Sequence, residues 1–306
     1  MNAISTYSKK QIEQHVLHLE ENFKMNSMYN NKFSSVILAK HHTLLIIFFS
    51  VLCLFKTNAL QSQKPYQGKT ILAIFAHPDD ESTVAPILAR YSREGAKVYL
   101  VIVTDGRYGT NDFHDHIAGE TLVETRKEEM KCAANKLGVE LIHLNYHDQL
   151  RAEEGYDGHV PHARKMILEL KGIVEKTQPD VLITWGPDGG STHMDHRLVG
   201  ASVTQVFLSK KWEKPISLYY YGTPSENISD TDSKTLRGQD VKYLRTKISY
   251  SEEDINKAFD SYKCHYSQID PKLTKEDFIN RKVKNEKVIY LRKFEAPRTD
   301  SNSVFD

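Results

Sequence analysis

His77, Pro78, Asp79, Asp80 and Glu81 follow directly on the apolar run Ile71 to Ala76, and His193, Met194, Asp195 and His196 follow closely on a second apolar run, Val181 to Trp185. Carboxylates and imidazoles at a buried strand end are costly unless a positive partner sits among them, so each group reads as one half of a metal site. If the turn after the first strand begins a helix, His77 and Asp80 project from one side and Asp79 points in a neighbouring direction as a free carboxylate. His193 and His196 repeat the same spacing, so the second group can supply a third ligand and keep a spare imidazole. Three histidine and carboxylate ligands leave a fourth position for water, as in a catalytic rather than a structural zinc. The chemistry that fits is hydrolysis. Asp79 would take the proton of the attacking water, and the oxyanion would be met by the metal and by a protonated His193 oriented by Asp195.

The elements that must position these residues follow a βαβ rhythm. Strand-like runs at Ile71 to Ala76, Lys97 to Thr104, Glu140 to Leu144 and Val181 to Trp185 alternate with helical patterns at Thr83 to Arg93, Leu122 to Leu137 (closed by Gly138), His162 to Lys176 and His196 to Leu208. That order predicts a mainly parallel sheet covered by helices on both faces, with ligands gathering at the carboxyl ends of the strands. Ser225 to Gln239 reads as a polar surface loop. A strand over Val241 to Tyr250, a helix from Glu252 to Tyr266 and a strand over Lys287 to Arg292 complete the pattern. Gly186 to Gly190 contains neither GxGxxG nor GxxxxGK, so a nucleotide cradle is not expected, and these glycines are read as flexibility for placing His193. His114, His116, His143, His147, His159 and His162 lack the paired spacing and are expected at the surface or rim.

Composition narrows the partners. Lysine and arginine number 41 against 40 aspartates and glutamates, a net charge of +1 over 306 residues, so no global field points to nucleic acid. Nothing fixes an oligomeric state. Cys53, Cys132 and Cys264 have no CxxC spacing, which argues against a thiolate zinc site; the last two could pair, although their spacing gives no reason for it. Thr43 to Phe55 is an uncharged apolar run after Lys40-His41-His42, shorter than the roughly 20 residues of a spanning helix, and Thr57 and Ala59 suit a signal-peptidase cut after Ala59. Export is therefore expected, with a start at Met25 or Met28 giving a leader of ordinary length, and with membrane attachment only if residues 43–55 are retained. Ile12, Val16, Leu19 and Phe23 mark a weak amphipathic helix upstream. The expected domains are a leader at 1–59, a linker at 60–68, a catalytic domain at 69–295 and a disordered tail at 296–306.

Ala76-His77-Pro78-Asp79-Asp80-Glu81, together with His193-Met194-Asp195-His196, resembles the LmbE/PIG-L family of zinc-dependent N-acetylglucosaminyl deacetylases. The likeness runs from about Lys69 to Gln268. It takes in Thr104-Asp105-Gly106, Arg126 with Glu129, Asp148, and His265-Tyr266-Ser267-Gln268 in the family's order; Met194 stands where the family often has proline. The resemblance implies a Rossmann-like three-layer α/β sandwich. It further implies His77, Asp80 and His196 as zinc ligands, Asp79 as general base, His193 as oxyanion stabiliser or acid, Asp195 as its orienting partner, and Arg126, Asp148 and His265 as substrate contacts. The implied reaction removes an N-acetyl group from an N-acetylglucosamine-type conjugate, releasing acetate and a free amine. Iron(II) suits the same donor set. The alternatives are a zinc amidase or esterase acting on a non-sugar substrate, and a secreted carbohydrate-binding protein, against which the intact Asp79 and His193 argue.

Overall fold

The structure is a computed structural model that describes residues 64–305 except 151–158, 284–286 and 298, together with scattered helical positions between 13 and 28. The chain divides at Gln63/Lys64. The leader's apolar run, 43–55, and the expected cut after Ala59 lie outside the described residues. Among the described residues no helix is long and apolar enough to cross a membrane.

The second unit is built on one seven-stranded sheet. Its first five strands in chain order are β1 (Thr70–Phe75), β2 (Lys97–Thr104), β3 (Glu140–Tyr146), β4 (Val181–Trp185) and β5 (Ser217–Tyr221). Two residues each form β6 (Thr223–Pro224) and β7 (Gly238–Gln239), which pair only with each other, and β8 (Thr246–Ser249) and β9 (Val288–Lys293) return to the main sheet. The order across it is β3-β2-β1-β4-β5-β9-β8, with β1 to β5 parallel and β9 antiparallel to both its neighbours. The strand order reverses between β1 and β4, and ligands of open parallel sheets gather in the crevice at such a point. Both chemical groups of the sequence lie there.

Alternation along β1 shows how the layers form. Ile71, Ala73 and Phe75 pack on one face with helices α1 (Ala85–Arg93), α2 (Glu120–Leu137) and α5 (Glu252–Tyr262), whose Leu88, Met130 and Ala258 are fully buried. Leu72 and Ile74 face the other side, against Met166 of α3 (His159–Thr177) and Val199 of α4 (Met194–Leu208). Side chains of a strand point alternately to its two faces, so a central strand between two helical layers must be apolar throughout, and β1 is.

The structure adds to or departs from expectation at several points. The strand over Val241 to Tyr250 is shortened to β8, because the Asp240 carboxylate accepts the Lys242 N–H at 2.9 Å and winds Val241–Tyr243 into a 3-10 turn. The helix from Glu252 stops at Tyr262 instead of Tyr266, since Cys264 is drawn into a disulfide with Cys132 of α2 and His265 turns into the core. That disulfide is itself one that the spacing did not argue for. The loop 225–239 folds back as a brace, with Ser191 bridging Leu236 and the Arg237 N–H donating to the Gly190 carbonyl at 3.0 Å. Beyond Lys293 the described residues carry neither helix nor strand. A short helix, α6 (Lys275–Phe278), runs on into a π-helical turn at Ile279–Val283.

Candidate metal and catalytic site

The chain leaves β1 by a turn rather than a helix. Asp79 sits in the left-handed region at φ 95° and is followed by a 3-10 turn over Asp80–Thr83. A residue other than glycine held there costs about 1–3 kcal/mol, so surrounding contacts must enforce it. Asp79 makes no capping bond with its side chain. Its carboxylate is 30% exposed and lies 3.6 Å from the Arg126 guanidinium, which leaves it available for proton transfer. Asp80 is buried instead, and its Oδ2 accepts the backbone N–H groups of Ala76 at 3.1 Å and His77 at 2.8 Å and the Trp185 indole at 3.4 Å. Its Oδ1 stays turned toward His196 Nε2, 3.2 Å away.

The second group is set by main-chain geometry. Gly189 and Gly190 adopt φ of 69° and 62°, and a Cβ at Gly190 would stand 2.9 Å from the Trp185 ring. These glycines are therefore needed for conformation and close approach, not for the flexibility expected from sequence. The turn they make brings the Gly189 carbonyl within 3.0 Å of His196 Nδ1, with Ser191 Oγ at 3.1 Å, and the His196 ring stacks on Trp185 at 4.4 Å. A carbonyl can only accept, so Nδ1 carries the proton and Nε2 presents its lone pair.

His77 is fixed by the same logic from the opposite side. Its Nε2 lies 3.2 Å from Asp148 Oδ1 and 3.3 Å from Asp195 Oδ2, both acceptors, so its Nδ1 is free to face inward. Nδ1 stands 3.2 Å from His196 Nε2 and 3.5 Å from Asp80 Oδ2. Ligand atoms about 2.0–2.1 Å from a tetrahedral zinc are about 3.3 Å apart, so the 3.2 Å between His77 Nδ1 and His196 Nε2 fits two ligands of one small divalent ion, while Asp80 faces the two rings through different oxygens. Electrostatics agree with this donor set. Burial works against charge on His77, but hydrogen bonds to Asp148, Asp195 and Asp80 outweigh it and hold its pKa well above the ordinary value. Burial would likewise raise Asp80, and the neighbouring His196 and His77 hold it well below the carboxylate range. The field at this point favours a positive charge. Ligand atoms of His77, His193 and His196, and of His77, Asp148 and Asp195, also lie within 4.8 Å of one another. The Asp148 and Asp195 oxygens face the Nε2 side of His77 and also accept the Tyr108, Gln149 and Leu150 N–H groups, so they hold that ring in place.

His193 differs from the expectation in protonation. It is the N-cap of α4, and its Nδ1 accepts the Asp195 N–H at 3.3 Å, which an imidazolium could not do. Burial pushes its pKa down, and the nearby His77 and His196 push it further. A helix N-terminus disfavours a cation as well. His193 is thus a neutral donor through Nε2–H. Asp195 holds it by its backbone N–H, while the Asp195 carboxylate orients His77 instead.

The three expected substrate contacts stand behind the site. Arg126, 4% exposed, donates to the Gly106 carbonyl at 3.1 Å and to the Pro78 carbonyl. Asp148, whose carboxyl is held at about 2 by its bond to His77 in spite of burial, orients that ring. His265 is fully buried and donates to Glu81 Oε1 at 2.7 Å. Of the other histidines, His143 is half-buried with Nε2 on the Thr104 carbonyl at 2.8 Å. Glu81, Glu129 and Ser267 received no role from sequence, and only the run of three acids hinted that one of them needed a buried partner.

Residues 72–207 match the family described as PIG-L: GlcNAc-PI de-N-acetylase. The chain is 30% identical over 149 residues to the 1D-myo-inositol 2-acetamido-2-deoxy-alpha-D-glucopyranoside deacetylase of Corynebacterium glutamicum, covering 42% of this chain and 49% of that protein. It is 31% identical over 136 residues to the diacetylchitobiose deacetylase of Thermococcus kodakarensis, covering 43% and 46%. It thus spans about half the length of these curated relatives. In fold it is similar to the N,N'-diacetylchitobiose deacetylase of Pyrococcus horikoshii, with a TM-score of 0.53 at 20% identity over 77% of this chain and 88% of that one. The segment from Leu72 to Phe207, which carries both halves of the site, is thus similar to the PIG-L family.

Proposed function

We propose that this protein hydrolyses the N-acetyl group of an N-acetylglucosamine-type amino-sugar conjugate, giving acetate and a free amine. The observation that carries the reading is the convergence of His77 Nδ1, His196 Nε2 and Asp80 within 3.2–3.5 Å, with the partly exposed Asp79 carboxylate on the same turn as His77 and Asp80. The similarity to two amino-sugar deacetylases supports the substrate class. His77, Asp80 and His196 would hold a divalent ion, proposed as zinc, with iron(II) as the other candidate. When bound, that ion supplies Lewis acidity toward the amide carbonyl. Asp79 accepts the proton of the attacking water and returns it to the departing amine. His193 donates its Nε2–H to the developing oxyanion. Asp148 and Asp195 keep His77 in the tautomer that binds metal.

Export with removal of residues 1–59 is part of this reading, and the Cys132–Cys264 disulfide supports it, because such bonds persist in oxidising compartments. The test is metal analysis of the purified protein coupled to acetate release from a panel of N-acetylglucosaminides. Expected are one divalent ion per chain and turnover on at least one sugar. A metal-loaded protein inert on every sugar but active on other amides or esters would replace the substrate class, and one inert on all of them would leave a binding protein. N-terminal sequencing from the native host checks export, where a mature chain still holding residues 43–55 would favour an anchor.

A further inference from the structure

Beneath the Asp79 turn runs a set of buried polar groups that face neither the ligand atoms nor solvent. The Asp79 N–H donates to Glu81 Oε2 at 3.1 Å, and Glu81 Oε1 accepts from His265 Nε2 at 2.7 Å, with both of the latter side chains 0% exposed. Among the described residues His265 Nδ1 has no hydrogen-bond partner, so Glu81 is the polar anchor of this imidazole. The segment that carries His265 is tied on both sides. Cys264 is bonded to α2, the Ser267 N–H and hydroxyl both donate to Glu129 of α2 at 2.6 and 2.9 Å, and the Gln268 amide donates to the Gly109 carbonyl at 2.7 Å.

Burying such a pair is costly, and an apolar pair would fill the space at least as well if packing were its whole purpose. What the pair does here is hold the N–H of Asp79, the one residue of the turn in left-handed backbone. We infer that His265 is a positioning residue for Asp79, acting through Glu81, an assignment that rests on the reading of Asp79 as the base. Without the anchor the turn relaxes toward ordinary backbone angles and the Asp79 carboxylate moves. A misplacement on the order of 1 Å costs about 100-fold in rate.

The experiment uses the oxidised, metal-loaded full chain and compares His265→Ala, His265→Gln, Asp79→Asn and the double variant Asp79→Asn with His265→Ala. Asp254→Asn serves as the control for destabilisation alone; its carboxylate is buried in α5 against Arg93 at 2.9 Å, away from the site. Expected is a fall in kcat of about 10- to 100-fold for His265→Ala, with KM and metal content unchanged. His265→Gln, whose amide N–H can still reach Glu81, should recover most of it. In the Asp79→Asn background the His265 change should add nothing, because its route of action is gone. Asp254→Asn should lower the melting temperature and leave kcat intact. An equal further loss in the Asp79→Asn background, or a change confined to KM, would overturn the inference. If His265→Ala does not fold, Glu81→Gln takes its place in the same cycle. Full activity in Asp79→Asn would sink the reading of the base, and with it this assignment. An inactive Asp79→Asn beside His265 variants with wild-type turnover would sink the positioning role alone.

Discussion

The two turns that meet at the site are built by different means. After β1, the functional groups are held by buried side chains drawn from far along the chain: Asp148 and Asp195 on His77, Arg126 and Glu81 around Asp79. After β4, His193 and His196 are held by main-chain groups, namely the Asp195 N–H and the Gly189 carbonyl. The first turn is strained and depends on its neighbours. The second is set by the backbone angles of two glycines and by the start of a helix. Distant substitutions should therefore damage the first turn more than the second.

The largest effect expected is from removing a ligand of the second turn itself. His196→Ala should lose the metal and lower activity by roughly 1000-fold or more, beyond the 10–100-fold of a supporting residue. Metal content measured by mass spectrometry checks this, and full occupancy would remove His196 from the ligand set. His193→Ala should keep the metal and slow turnover by about 100-fold, the usual effect of one oxyanion donor.

Its pH dependence sharpens the point. Burial, with His77 and His196 beside it, lowers the His193 pKa, so the neutral form prevails at pH 7 and above and the imidazolium forms only as the pH falls through the lowered value. Activity that depends on neutral His193 is present above that value and lost below it. Comparison of rate profiles should show His193→Ala altering the acid limb and leaving the basic side alone. A wild-type decline above about pH 6.5 that vanishes in His193→Ala would restore the imidazolium expected from sequence.

The first turn should respond to its supports. Asp148→Asn removes a charge that His77 leans on, and metal affinity should fall by about 10- to 100-fold in competition with a chelator. The smallest effect expected is from Ser191→Ala. Its hydroxyl lies 3.1 Å from His196 Nδ1, but the Gly189 carbonyl already holds that proton, so turnover should change by no more than about threefold. A large loss there would show that the second turn also depends on side chains.

The sequence was most legible where local pattern decides. The parallel strands, their helices and the meeting of His77, Asp80 and His196 come from residues whose spacing and periodicity carry the information. It was least legible where partners are distant. His265 and Glu81 are separated by 184 positions, and the Asp195 carboxylate finds His77 across 118, so the expected pairing of Asp195 with the nearby His193 is met by the Asp195 N–H and not by its carboxylate. The end of α5 and the Cys132–Cys264 bond were hidden together, because the bond is what turns the chain after Tyr262.

That bond has a further consequence for how the chain must be handled. It closes a loop with a sequence separation of 132, and on a chain-entropy account such a crosslink is worth about 5 kcal/mol against the unfolded state. Of the chain's three cysteines, Cys53 is left without a place in it. An odd thiol attacks existing disulfides by exchange during oxidative folding. Cys53 lies inside the apolar run that the expected cut after Ala59 would discard. A recombinant chain begun at Leu60 has one way to oxidise internally, whereas a chain that keeps Cys53 has three, and is expected to give scrambled and crosslinked material on a non-reducing gel.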